Sequence, residues 1–133
     1  MGKFAGTTTR DAGWNGVRTL AGTANRVMYH VIKAYAFGDS YATVVGNSCG
    51  SIAVAAGDLV TAGGAGSSRV TTMASKTINL TANSGAGPDL HVALVDTTSS
   101  EVLYVTDETT NQVLYAGGTL TLPSWTDTIT QPT

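Results

Sequence analysis

From Tyr41 to Thr130 the chain is cut by turn clusters into runs too short for helices of ordinary length. The clusters are Gly46-Asn-Ser-Cys-Gly50, Ala62-Gly-Gly-Ala-Gly-Ser-Ser68, Asn83-Ser-Gly-Ala-Gly-Pro88, Asp96-Thr-Thr-Ser-Ser100 and Gly117-Gly118. Gly reaches turn conformations freely, while Asn, Asp and Ser side chains bond the turn backbone. Between the clusters Val and Thr recur, and their branched Cβ suits a pleated, half-buried surface. The expected strands are Tyr41–Val45, Ser51–Ala55, Asp58–Thr61, Arg69–Ala74, Thr77–Thr81, Leu90–Val95, Glu101–Thr106, Gln112–Tyr115, Thr119–Leu122 and Trp125–Thr130. Short connections favour antiparallel pairing. The whole predicts a mostly β chain, a single compact antiparallel β-sandwich or β-barrel. Leu90–Val95 is apolar on both alternating sets, so both faces of that strand are expected to be covered, with Glu101–Thr106 as its hairpin partner. Leu90, Val92, Leu94, Leu103, Val105, Leu114, Leu120 and Leu122 form the expected core.

The first third reads differently. Residues 1–26 hold no sustained hydrophobic period and contain Thr7-Thr8-Thr9, Gly13, Gly16 and Gly22, which predicts an extended N-terminal arm. The β domain is then expected over 27–133. Val27, Val31, Ala34 and Tyr35 have helical spacing, whereas Tyr29, Val31 and Lys33 would alternate in a strand. With Thr23 or Asn25 available as a cap, a short helix over about residues 24–37 is the favoured reading, ended by Gly38.

At 133 residues the chain matches one domain that can bury a real core. Cys49 is the only cysteine, so the fold rests on packing rather than on an internal disulfide. No apolar run approaches the length of a membrane helix. The first residues lack the apolar segment of a secretory signal, which makes the cytoplasm of the producing cell the expected place of synthesis.

Charge divides unevenly. Up to Val27, Lys3, Arg10, Arg18 and Arg26 stand against Asp11 alone, a net of +3. Beyond it, Lys33, Arg69 and Lys76 face Asp39, Asp58, Asp89, Asp96, Glu101, Asp107, Glu108 and Asp127, a net of −5. A basic leading segment on an acidic body fits an arm laid on a neighbour, and equally a solvated terminus. Isolated aromatics in such an arm are docking points, either on the arm's own body or on a partner. Phe4, Arg10, Trp14 and Arg18 are therefore the candidate partner contacts.

Side chains with chemistry are few. Phe37-Gly38-Asp39-Ser40 is similar to the first block of GDSL-type esterases, but no histidine follows His91 to serve as general base. A cap or Asx-type turn explains the string better. His30 and His91 are the only histidines. Asp89 lies near His91, yet a strand histidine on a polar face is the simpler account. Asp96, Glu101, Asp107 and Glu108 flank the hairpin ends without the ordered spacing of a calcium loop. Basic residues are too few for a nucleic-acid face. No catalytic residue, metal or cofactor is expected, and the chain does not read as an enzyme.

Asp89-Leu-His-Val-Ala-Leu-Val-Asp96 through Leu103-Tyr-Val-Thr106, then Gln112-Val-Leu-Tyr115 and Ala116-Gly-Gly-Thr-Leu-Thr-Leu-Pro-Ser-Trp125, resemble a run near the C-terminus of a family of small tailed-bacteriophage virion proteins. Asp39–Val44, the stretch to Asp58, and Arg69–Lys76 resemble the middle of the same proteins. The likeness covers roughly residues 38–130 and leaves the N-terminal segment unmatched. It implies a head decoration (cement) protein on the capsid surface of a virion, made in a bacterial host. It further implies the major capsid protein as partner, self-association with a trimer as one form, and no role with nucleic acid or membrane. A tail or connector component is the structural rival. A glycan- or receptor-binding β module using Tyr41, Trp125 or Tyr115 is the other.

Overall fold

The computed structural model describes residues 7–63, 67–107 and 110–130, with side chains from residue 12 onward. The chain is mostly β-strand, in three separate antiparallel sheets, with two helices among the described residues. Helix α1 is Thr7–Ala21. Strand β1 (Val27–Ile32) leads to helix α2 (Tyr41–Gly46) and strand β2 (Ser48–Ala53). A 3-10 turn at Ala56–Asp58 precedes β3 (Leu59–Ala62), β4 (Arg69–Met73) and β5 (Lys76–Asn79). Strands β6 (His91–Asp96), β7 (Glu101–Asp107), β8 (Thr119–Leu122) and β9 (Trp125–Ile129) follow.

The largest sheet runs in the order β2-β1-β6-β7, the second β3-β4-β9, and β5 pairs with β8 alone. Among the described residues the three sheets are separate and unclosed. A single bridge between Gly50 and Leu80 links the four-stranded sheet to the β5–β8 ladder. Gly50 is required there: a Cβ at that position would lie 2.5 Å from the Asn79 carbonyl oxygen and 2.8 Å from Ile78 Cγ2.

The four-stranded sheet is covered on both faces. Val27, Tyr29, Val31, Val92 and Leu94 point into the main core with Leu59, Met73, Ile78, Leu114 and Leu122. Ile32, Ala93 and Val95 join Val44 of α2 in a second, smaller core on the opposite face. This explains the unbroken apolar run of β6, whose last five residues are all buried, and it agrees with the sequence reading. The hairpin of β6 with β7 also forms where the turn residues place it.

Four secondary-structure expectations are corrected. The extended arm is a helix through most of its described length, because α1 has an apolar face to bury. Trp14 and Ala21 are buried, Val17 and Leu20 pack beside them, and Gly22 ends the helix by donating to the carbonyls of Arg18 and Thr19. These residues share one core with Val27 to Leu122, so among the described residues no break in packing falls at residue 26.

The helix expected over 24–37 is instead strand β1. Asn25 adopts a left-handed backbone (φ 59°), which a continuing helix excludes. Val27, Tyr29 and Val31 then bury on one face by period two, with β2 and β6 satisfying both backbone edges. Tyr41–Val45 reverses in the other direction, from expected strand to helix α2. Ser40 caps it, its Oγ accepting from the Thr43 N–H at 3.2 Å, and Val44 has no exposed surface. Gln112–Tyr115, expected as a strand, joins no sheet.

Candidate functional site

The Asp39–Ser40 string is committed to local structure. Gly38 turns the chain at φ 89°. Asp39 Oδ2 accepts from the Ala36 N–H at 2.8 Å. Ser40 Oγ lies 3.0 Å from the Thr43 hydroxyl as well as capping α2. Among the described residues no histidine hydrogen-bonds that serine, and the string acts as a turn and cap.

His30 is also structural. Its ring is buried, and Nδ1 lies 2.9 Å from Ser48 Oγ, which in turn donates to the Gly50 carbonyl at 3.1 Å. One hydroxyl proton cannot serve both bonds, so Nδ1 is the donor to Ser48. Burial lowers the pKa of His30 and keeps the ring neutral.

Of the carboxylates flanking the hairpin, Asp96 and Glu101 meet at the turn, as cross-strand partners on either side of the Ser99 hydroxyl, while Asp107 lies at the other end. Asp96 sits at the turn end, buried, where Oδ1 and Oδ2 accept from Arg26 Nε and Nη2, each at 3.0 Å. The Thr98 N–H and Ser99 hydroxyl complete its shell at 3.0 and 2.8 Å. The Arg26 guanidinium, seconded by those donors, holds the Asp96 carboxyl well below the usual carboxylate range. Part of the basic charge assigned to the N-terminal segment is thus neutralised internally. Asp107 lies at the opposite end of the hairpin, about 17 Å away by strand rise, facing His91. Glu108 lies outside the described residues.

Of the four candidate partner contacts, Phe4 and the side chain of Arg10 lie outside the described residues. Trp14 docks on the chain's own body. Its ring is 5.1 Å from Tyr104 and 5.7 Å from Trp125, and Tyr104 and Trp125 stack at 5.0 Å with 16° between planes. Trp125 Nε1 donates to Tyr29 Oη at 2.9 Å. Gly13, Trp14, Val17, Leu103, Tyr104, Asp127 and Ile129 line a cleft of about 230 Å³ beside this stack. Burial, reinforced by the Asp127 carboxylate, raises the Tyr104 phenol pKa and keeps it neutral. Arg18 is half-buried, and among the described residues its Nε has no hydrogen-bond partner.

The exposed large apolar side chains lie elsewhere: Phe37, Val60, Val113 and Tyr115. Val113 and Tyr115 flank Leu114, which is buried, so the segment presents two apolar groups outward around one inward anchor. Its backbone is fixed by a facing turn. The Leu114 N–H donates to Ser84 Oγ at 2.9 Å, the Ser84 N–H to the Leu114 carbonyl at 3.0 Å, and the Ala116 N–H to Asn83 Oδ1 at 2.8 Å. Of the aromatics named for a glycan module, only Tyr115 is exposed; Tyr41 packs in the second core and Trp125 in the stack.

Sequence reasoning missed this loop as a presenting element, since Gln112–Tyr115 alternates like a strand. The Asn83-Ser84 turn opposite it was legible, but not its partner. Comparison of the chain with protein-family models, curated proteins and solved structures found no match.

Proposed function

We propose that this chain is a structural protein of a tailed-bacteriophage particle, a head decoration protein that binds the outer shell and bridges capsid subunits. The observation that carries the reading is the outward pair Val113 and Tyr115 on a loop fixed by Asn83 and Ser84. That pair lies inside the segment carrying the resemblance to virion proteins. A rigid aromatic offered without ordering cost is what an interface anchor needs. Many copies on a lattice make modest single contacts hold strongly.

The major capsid protein is the proposed partner, and self-association, a trimer being one form, the proposed assembly. Strand β7 has β6 as its sole strand partner among the described residues, and β3 has β4, which leaves edges suited to a neighbouring chain. With Asp39, Ser40 and His30 held in structural bonds, the reading includes no enzymatic step.

Cryo-electron microscopy of the parent particles tests it. Density for this chain repeating over the outer shell at capsomer junctions is the expected result, with Tyr115→Ser lowering its occupancy. Density confined to portal or tail, or none in the particle, overturns it.

A further inference from the structure

The open end of the β6–β7 hairpin holds the one group of three histidine or carboxylate ligands that converge among the described residues: Asp89, His91 and Asp107, whose ligand atoms all lie within 4.8 Å of one another. The fold brings them together by register. His91 and Asp107 are direct cross-strand partners, and such pairs hold their Cβ atoms about 5 Å apart. Asp89 stands two positions before His91, on the same side in strand alternation.

The protonation of His91 follows from its neighbours. Nδ1 lies 3.0 Å from the backbone carbonyl oxygen of Asp89. A carbonyl only accepts, so Nδ1 carries the proton and the lone pair of the neutral ring is on Nε2. That nitrogen faces Asp107 Oδ1 at 3.9 Å. The approach of this nitrogen to a carboxylate is favourable when a positive charge lies between them, either a proton on Nε2 or a bound cation.

The gap is too long for a hydrogen bond; the ligands of a tetrahedral ion with bonds of about 2.1 Å stand about 3.4 Å apart, a separation that a small rotation of the exposed Asp107 side chain reaches. The Nδ1–H bond to a carbonyl is also the arrangement that orients a metal-binding imidazole. Tyr35 packs its ring 5.6 Å from that of His91, and the His91 side chain is only 13% exposed, so the ring is held while both carboxylates remain accessible.

We propose that Asp89, His91 and Asp107 bind one divalent transition-metal ion of the zinc class. One imidazole with two carboxylates suits such an ion, whereas calcium calls for six or more oxygen ligands. The site is independent of the decoration reading.

Isothermal titration of the full chain with zinc chloride is the test. One equivalent is expected to bind saturably. His91→Ala and Asp107→Asn should each weaken binding about tenfold or more, and His30→Gln should leave it unchanged. Far-UV circular dichroism checks that the variants fold. A measurement without substitutions runs alongside: zinc should shift the His91 ring resonances in NMR spectra and leave those of His30 in place. Absence of saturable binding, binding that survives His91→Ala, equal competition by calcium chloride, or unmoved His91 resonances would overturn the proposal.

Discussion

Trp14 Nε1 donates to Asp127 Oδ2 at 2.8 Å, joining α1 to β9 across 113 positions of sequence. The same indole fills the space beside Tyr104 and Trp125. Trp14→Ala removes both, so a loss of about 3–5 kcal/mol is expected. Trp14→Phe keeps most of the packing and gives up the hydrogen bond, at about 1–2 kcal/mol. Urea unfolding followed by far-UV circular dichroism separates the two. Equal, small losses would mean that α1 contributes little to the core.

Two glycines should answer in opposite directions. Gly16 lies inside α1, and a Cβ there meets no atom within 4 Å. Gly16→Ala is expected to stabilise by about 0.5–1 kcal/mol through helix propensity. Gly50→Ala drives a methyl group into the Asn79 carbonyl and Ile78, and a loss of about 1–3 kcal/mol is expected. Thermal unfolding of the two variants beside the parent chain checks both signs.

Stability should fall with acid in two stages. His30 has a pKa below its ordinary 6.5 in the folded chain, so the unfolded chain takes up a proton first as pH drops through that value. Stability therefore declines below about pH 7 and levels once the folded ring also titrates. Asp96 is depressed from its ordinary 3.8; its contribution is complete above about pH 5 and disappears as pH falls through the carboxylate range and beyond. The urea midpoint plotted against pH shows both declines. His30→Gln should remove the first, and Asp96→Asn should flatten the second while lowering stability at neutral pH.

Cys49 has no exposed surface, and burial raises its thiol pKa. A thiol reagent of the disulfide type should leave the native chain unlabelled and react fully in urea. Fast labelling under native conditions would contradict the placement of Cys49 between the sheets.

Much of the β framework is legible in the sequence because it is written in local alternation. β4, β6, β7, β8 and β9 fall where period two and turn residues put them. The helices are not legible, for opposite reasons. Gly13, Gly16 and four threonines give α1 poor intrinsic propensity, and its burial depends on residues distant in sequence, Tyr104, Trp125 and Asp127 around Trp14 among them. α2 has the branched residues of a strand, yet Ser40 caps it and Val44 finds a pocket over β6. At the candidate metal group, Asp89 and His91 are visible as neighbours, but Asp107 joins them only through strand register. The Arg26–Asp96 pair was hidden for the same reason, since charge counted along the chain does not show which charges meet.

The clasp of α1 on β9 also sets an order of events during synthesis. When α1 leaves the ribosome, none of Tyr104, Trp125 and Asp127 has yet been made. β4 likewise waits for β9, and β5 for β8. A helix this poor in propensity meets the Ala56–Asp58 turn, β3 and β4 first, and the aromatic part of its docking surface arrives only with β7 and β9. Closure of the main core is therefore late and non-local, and an interrupted chain exposes Trp14 together with unpaired strand edges, the two features that recruit chaperones or seed aggregation.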